Sequence, residues 1–251
     1  PARDERAAPA RPVAAPVARP PLGLIDLLLR DRAAVRAQIR AEVDLAGVLR
    51  TMIGTIAVAM AIVGAALGSY RGGAQIAYAA IKLPIVLLGT AALSAPALST
   101  CGAALGRPVR LAADLALVMT GLALGALVLV ACTPLVLVGR ALALGYHDMI
   151  LATVAMFAGA GVAALVMIGR GLDGGVPGAR AALAGLCVVS ALVGGQLAWA
   201  LRPYLVRPRA VEVPFVRDLE GSLLDAVPEA LRSANGIYRR DAAPLPGEAT
   251  P

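Results

Sequence analysis

Lys82 is the single lysine of the sequence, and it lies in an apolar run with Gln75 seven residues before it, Tyr78 four before it and Pro84 two after it. The rest of the 23 basic residues are arginines, an imbalance expected of a GC-rich coding sequence, so the lone lysine carries more information than any one arginine. On a helix, positions separated by three, four and seven residues share a face, which places Gln75, Tyr78 and Lys82 together. An ionisable group at roughly 12 Å depth, by helix rise, is costly in hydrocarbon and usually faces a bundle interior or a wet cavity. There it can counter the charge of an anionic substrate or serve a proton-coupled site, beside backbone that a proline at 84 leaves open. The competing reading is a lysine whose four-carbon stem snorkels to the headgroups.

Asp114 is the second charge close to an apolar run, and its plain reading is a helix-start residue at the membrane interface. A direct Lys82 to Asp114 pair requires a re-entrant second segment, because an antiparallel hairpin separates their depths by over roughly 10 Å. Tyr146, His147 and Asp148 put a base beside a carboxylate, but sequence neighbours need not face one another and no nucleophile motif accompanies them. They read as an interfacial cap. Cys101, Cys132 and Cys187 are odd in number and widely spaced, which gives neither a disulfide framework nor a zinc site. Zinc-protease helix, Walker loop, dinucleotide fingerprint and nucleophile elbow are all missing from the sequence. The expectation is a non-enzyme with no catalytic residue, no metal and no cofactor.

These residues must be positioned by membrane-spanning elements. Of the 251 residues, 59% are apolar and 16% charged, and the mean hydropathy is +0.78, against roughly half apolar and a quarter charged in soluble domains. Apolar runs of about 20 residues recur, each long enough to cross a core about 30 Å thick. The expected fold is an all-α, polytopic transmembrane helix bundle of about five spans, with amphipathic flanking helices. The spans fall at 46–69, 74–98, 111–139, 149–169 and 181–201, so the bundle occupies 46–201. Pro84 interrupts the second span and Pro96 ends it, and Pro134 kinks the long third one. Small residues four apart, as in Gly64 and Gly68, Gly121 and Gly125, Ala155 and Gly159, and Ser190 and Gly194, let helix backbones approach closely.

The flanks read differently. Residues 1–21, rich in proline, alanine and arginine, form a disordered N-terminal tail. Residues 22–45 form an amphipathic helix whose apolar positions Leu28, Val35, Ile39 and Val43 lie on one side. It either rests on the membrane surface or is a solvated helix that caps the bundle or pairs with a second copy. The C-terminal tail, 202–251, carries a second amphipathic segment at 215–231 with Phe215, Leu219, Leu223 and Val227 four residues apart. The chain begins at Pro1, and its first apolar run follows a long charged stretch, unlike a targeting peptide.

The net charge of +7 flanks apolar spans instead of building a basic domain, so the expected partners are a lipid bilayer with anionic headgroups and a protein partner or a homo-oligomer, not nucleic acid. Five arginines from Arg30 to Arg50 place the N-terminus in the cytoplasm. Five spans then put Arg202, Arg207, Arg209 and Arg217 on the opposite side, whereas a re-entrant second segment or a divided third one restores an even count.

Ala80, Ile81, Lys82, Leu83 and Pro84, with Trp199, Ala200, Leu201, Arg202, Pro203 and Tyr204, resemble patterns of uncharacterised bacterial multi-pass membrane proteins. Five spans behind a cytoplasmic N-terminal segment are similar in architecture to the Yip1 family of small polytopic membrane proteins. Architecture alone transfers no activity. The first functional expectation is a multi-pass protein of a bacterial inner or plasma membrane, a scaffold or membrane organiser acting through its flanks. The second is a small transporter or channel subunit using Lys82, Gln75, Tyr78 and Pro84.

Overall fold

The computed structural model describes residues 20–172, 178–201, 204 and 215, excepting the side chains of Tyr146 and His147. Among them, helix α1 spans Pro21–Arg30 and α2 Arg32–Arg40. Pro21 opens α1 at a position whose N–H would be unpaired in any case, so helix begins inside the stretch expected to be a disordered tail. Residues 1–19 lie outside the described set. The expected helix at 22–45 is divided at Asp31, whose carboxylate accepts from the N–H groups of Ala33 and Ala34 and caps α2. A short polar side chain competes there with the helical hydrogen bonds. Leu24, Leu28, Val35 and Ile39 are buried against the bundle, so the pair of helices caps it. Val43, by contrast, falls in the turn after α2, where Glu42 and Asp44 take positive φ values of 54° and 49°.

Among the described residues five helices are long and apolar enough to cross a membrane: α3 (Leu45–Gly68), α4 (Gln75–Ala104), α5 (Leu111–Ala141), α6 (Tyr146–Leu172) and α7 (Ala179–Ala200). Asp44 caps α3, accepting from the Gly47 N–H at 3.0 Å. Short connections make successive spans antiparallel. The proximal end of the bundle therefore holds α1, α2 and the α4–α5 connection, and the distal end holds the α3–α4 and α5–α6 connections and the exit from α7.

Two proline expectations are corrected. Pro84 and Pro96 both lie inside the continuous α4, so Pro96 does not end the second span and Pro84 does not interrupt it. Pro134 lies inside α5, which is not divided. Leaving the helix would expose unpaired backbone to hydrocarbon, a larger cost than the bond each proline removes. Nearby hydroxyls join the helical ladder: Thr100 donates to the Pro96 carbonyl at 3.1 Å and Thr133 to that of Leu129 at 3.2 Å. The second segment is one continuous helix, not a re-entrant pair, and among the described residues the helices long and apolar enough to span are odd in number. At 30 residues, α4 is about 45 Å long, longer than a core of about 30 Å.

Helices α3, α4 and α5 pack together, with α6 against α5 and α7 against α4, while α6 and α7 touch little. Glycines set the closest crossings. A Cβ on Gly64 would collide with the Ala79 backbone and one on Gly68 with that of Gln75. Gly121 and Gly125 admit the Ala164 and Ala160 carbonyls of α6 in the same way. Gly159, expected to serve such a crossing, has open space beside it. The α6 face used is instead that of Ala160, Ala164 and Ile168. Outward residues such as Val58, Ile81, Leu93, Leu151 and Val188 are exposed and apolar, which suits contact with lipid.

Candidate functional site

Gln75 is the first residue of α4, held close to α3 because Gly68 has no side chain to block its backbone. One and two turns further on, Tyr78 is half-buried and Lys82 fully buried. The structure thus brings Gln75, Tyr78 and Lys82 to one face near the distal end. Two residues from beyond α7 cover that face. The Gln75 side-chain amide donates to the Tyr204 carbonyl at 3.1 Å, and the Tyr204 hydroxyl donates back to the Ala198 carbonyl at 3.1 Å. Phe215 meets Tyr78 edge-on with ring centroids 5.1 Å apart, and the Lys82 ammonium lies 5.0 Å from the centre of the same Phe215 ring. A cation over an aromatic face contributes about 0.5–2 kcal/mol, more as the pair is desolvated.

Lys82 is seven residues into α4, about 10 Å along its axis. Its fully buried side chain ends beneath an aromatic ring. Burial pushes the Tyr204 phenol, outside the spans, up from 10.0 to about 12, because the charged form loses its hydration. Pro84 is half-buried within the continuous helix, where its missing N–H leaves the Ala80 carbonyl without the usual helical donor. Sequence reasoning missed Phe215 as a component, reading it as the start of an amphipathic segment; the rest of 215–231 lies outside the described residues. Its rarity was the available signal, since the chain has only two phenylalanines.

Deeper along α4, the hydroxyls of Thr90 and Ser94 are buried with no hydrogen-bond partner among the described residues. Such groups call for water or a ligand. At the proximal end Asp114 stands in the first turn of α5, at the helix start as expected, and is buried within the protein. It accepts from the Ser99 hydroxyl at 2.6 Å and takes a two-point contact from the Arg107 guanidinium, one limb at 3.1 Å and the other shorter. Its partner is therefore Arg107, and no Lys82 to Asp114 pair forms.

Asp148 is exposed in the first turn of α6. The side chains of Tyr146 and His147 lie outside the described set. The three cysteines are free thiols, each half-buried, and among the described residues no three ligating side chains gather as a metal site would need. No protein-family model matches the sequence, and neither a curated protein nor a solved structure matches the chain. The protein is an integral, multi-pass membrane protein by its five apolar helices.

Proposed function

We propose that this is a non-enzymatic small transporter or channel subunit that admits a small anion at a site on α4, with its C-terminal segment closing the distal entrance. The carrying observation is the placement of Lys82 under Phe215, on one face with Gln75 and Tyr78. A buried cation with polar neighbours is suited to an anionic solute. The uncommitted hydroxyls of Thr90 and Ser94 extend polar character inward. Flux of chloride or acetate into proteoliposomes tests this reading. Lys82→Met is expected to reduce flux by about tenfold, the effect of removing one favourable charge from a low-dielectric path, at unchanged reconstituted amount. Equal flux in wild type and variant would refute it.

A second reading, a scaffold acting through the flanks, is favoured by the exposed arginines of α1 and α2. It is weakened because the apolar face of these helices is spent on the bundle. The arginines crowd the proximal end, whereas Arg71 and Arg140 are the described ones at the distal end, which supports a cytoplasmic proximal face in a bacterial inner membrane. The five-span plan is in keeping with a Yip1-like architecture, from which no activity is taken.

A further inference from the structure

A groove of about 760 Å³ runs down the outside of the bundle between α3 and α5, lined by no residue of α4. Its apolar walls come from Gly54, Val58 and Ile62 of α3 and from Leu127 and Val130 of α5. Gly54 makes the hollow, with nothing within 4 Å of the place a Cβ would take. Pro21 and Ile25 of α1 lie over the proximal end, where Asp44 and Arg50 form the mouth. The Thr51 and Thr55 hydroxyls on the wall donate to helix carbonyls at 2.8 Å, so they ask for no polar ligand.

The dimensions and charges point to one kind of occupant. From Arg50 to Ile62 the groove follows α3 for about 18 Å, close to the depth of one leaflet of a core about 30 Å thick. Arg50 is exposed and donates through Nε to the Ala46 carbonyl at 3.3 Å, and among the described residues it makes no ion pair. Its terminal nitrogens are therefore open to a phosphate. Asp44 uses one oxygen on the Gly47 N–H, leaving the other beside the mouth. One cation and one anion match a zwitterionic headgroup, phosphate to arginine and ammonium to carboxylate, better than an anionic one.

We infer that this groove holds one phosphatidylethanolamine molecule from the proximal leaflet, its phosphate at Arg50, its ammonium at Asp44 and an acyl chain along Gly54, Val58 and Ile62. This is separate from the α4 site and stands or falls without it. Native mass spectrometry of the full chain, released from micelles containing equal phosphatidylethanolamine and phosphatidylglycerol, provides the test. Wild type is expected to retain a single phosphatidylethanolamine. Gly54→Leu, which extends into the hollow from a Cβ position with nothing within 4 Å, and Arg50→Gln should each lower retention by about tenfold, the loss expected when one good contact is removed. Asp44→Asn keeps the cap and accepts the positive φ, and should abolish the preference for the ethanolamine lipid. Equal retention of both lipids by wild type, or wild-type retention by Gly54→Leu and Arg50→Gln, would overturn the inference, as would the graded series of adducts that surrounding lipid alone produces.

Discussion

Asp114 has a carboxylate that is almost fully enclosed, which is tolerable only because Arg107 and Ser99 saturate it. Removing one member of a buried ion pair strands the other and costs about 3–5 kcal/mol, whereas losing a neutral donor to a charged group costs about 1.5–3. Asp114→Ala should therefore lower the thermal stability of the detergent-solubilised protein more than Ser99→Ala does, and equal melting shifts would argue against the pairing. Tyr204 offers a test by pH. Its folded pKa, about 12, stands above the ordinary 10.0, so the neutral phenol contributes stability that is complete below pH 10 and is lost as pH climbs toward 12. Cross-linking of the C-terminal segment to α4 should hold up to about pH 10 and decline above it, and Tyr204→Phe should remove that part of the decline.

At the scale of elements, helix crossings depend on which small residues face a neighbour. Gly64 admits the α4 backbone, while Gly159 has open space beside it. Gly64→Leu is expected to force α3 and α4 apart and to cut folded yield several-fold, whereas Gly159→Leu should leave yield near wild type, as judged by monodisperse recovery in detergent. The sequence carried the spans because hydrocarbon demands long apolar runs whose backbone is satisfied internally. It did not reveal that α4 continues through Pro96, because local proline sterics argue for an end and only the absence of water argues for continuation. Nor did spacing distinguish Gly64 from Gly159, since both sit four residues from another small one and only the neighbouring helix decides between them. The split at Asp31 was likewise hidden, because the apolar periodicity runs on across it.

At the scale of the whole molecule, the five spans of the described residues set the N-terminal helices and the exit from α7 at opposite ends of the bundle. The N-terminal helices spend their apolar face at one end, and Tyr204 and Phe215 reach α4 at the other. The shared face of Gln75, Tyr78 and Lys82 was legible from helical spacing. Its cover was not, because the contact joins Tyr78 to Phe215 across a separation in sequence that no local pattern reports. Closure of the α4 site by that cover is the central claim, and a reversible tether tests it most directly. In a background lacking Cys101, Cys132 and Cys187, cysteines replacing Tyr78 and Phe215 would be joined by a short bis-methanethiosulfonate linker in proteoliposomes. The account predicts efficient joining, anion flux suppressed about tenfold while the tether holds the charged path shut, and flux restored by reductant; failure to join in a folded protein, or the same flux before and after reduction, would contradict it.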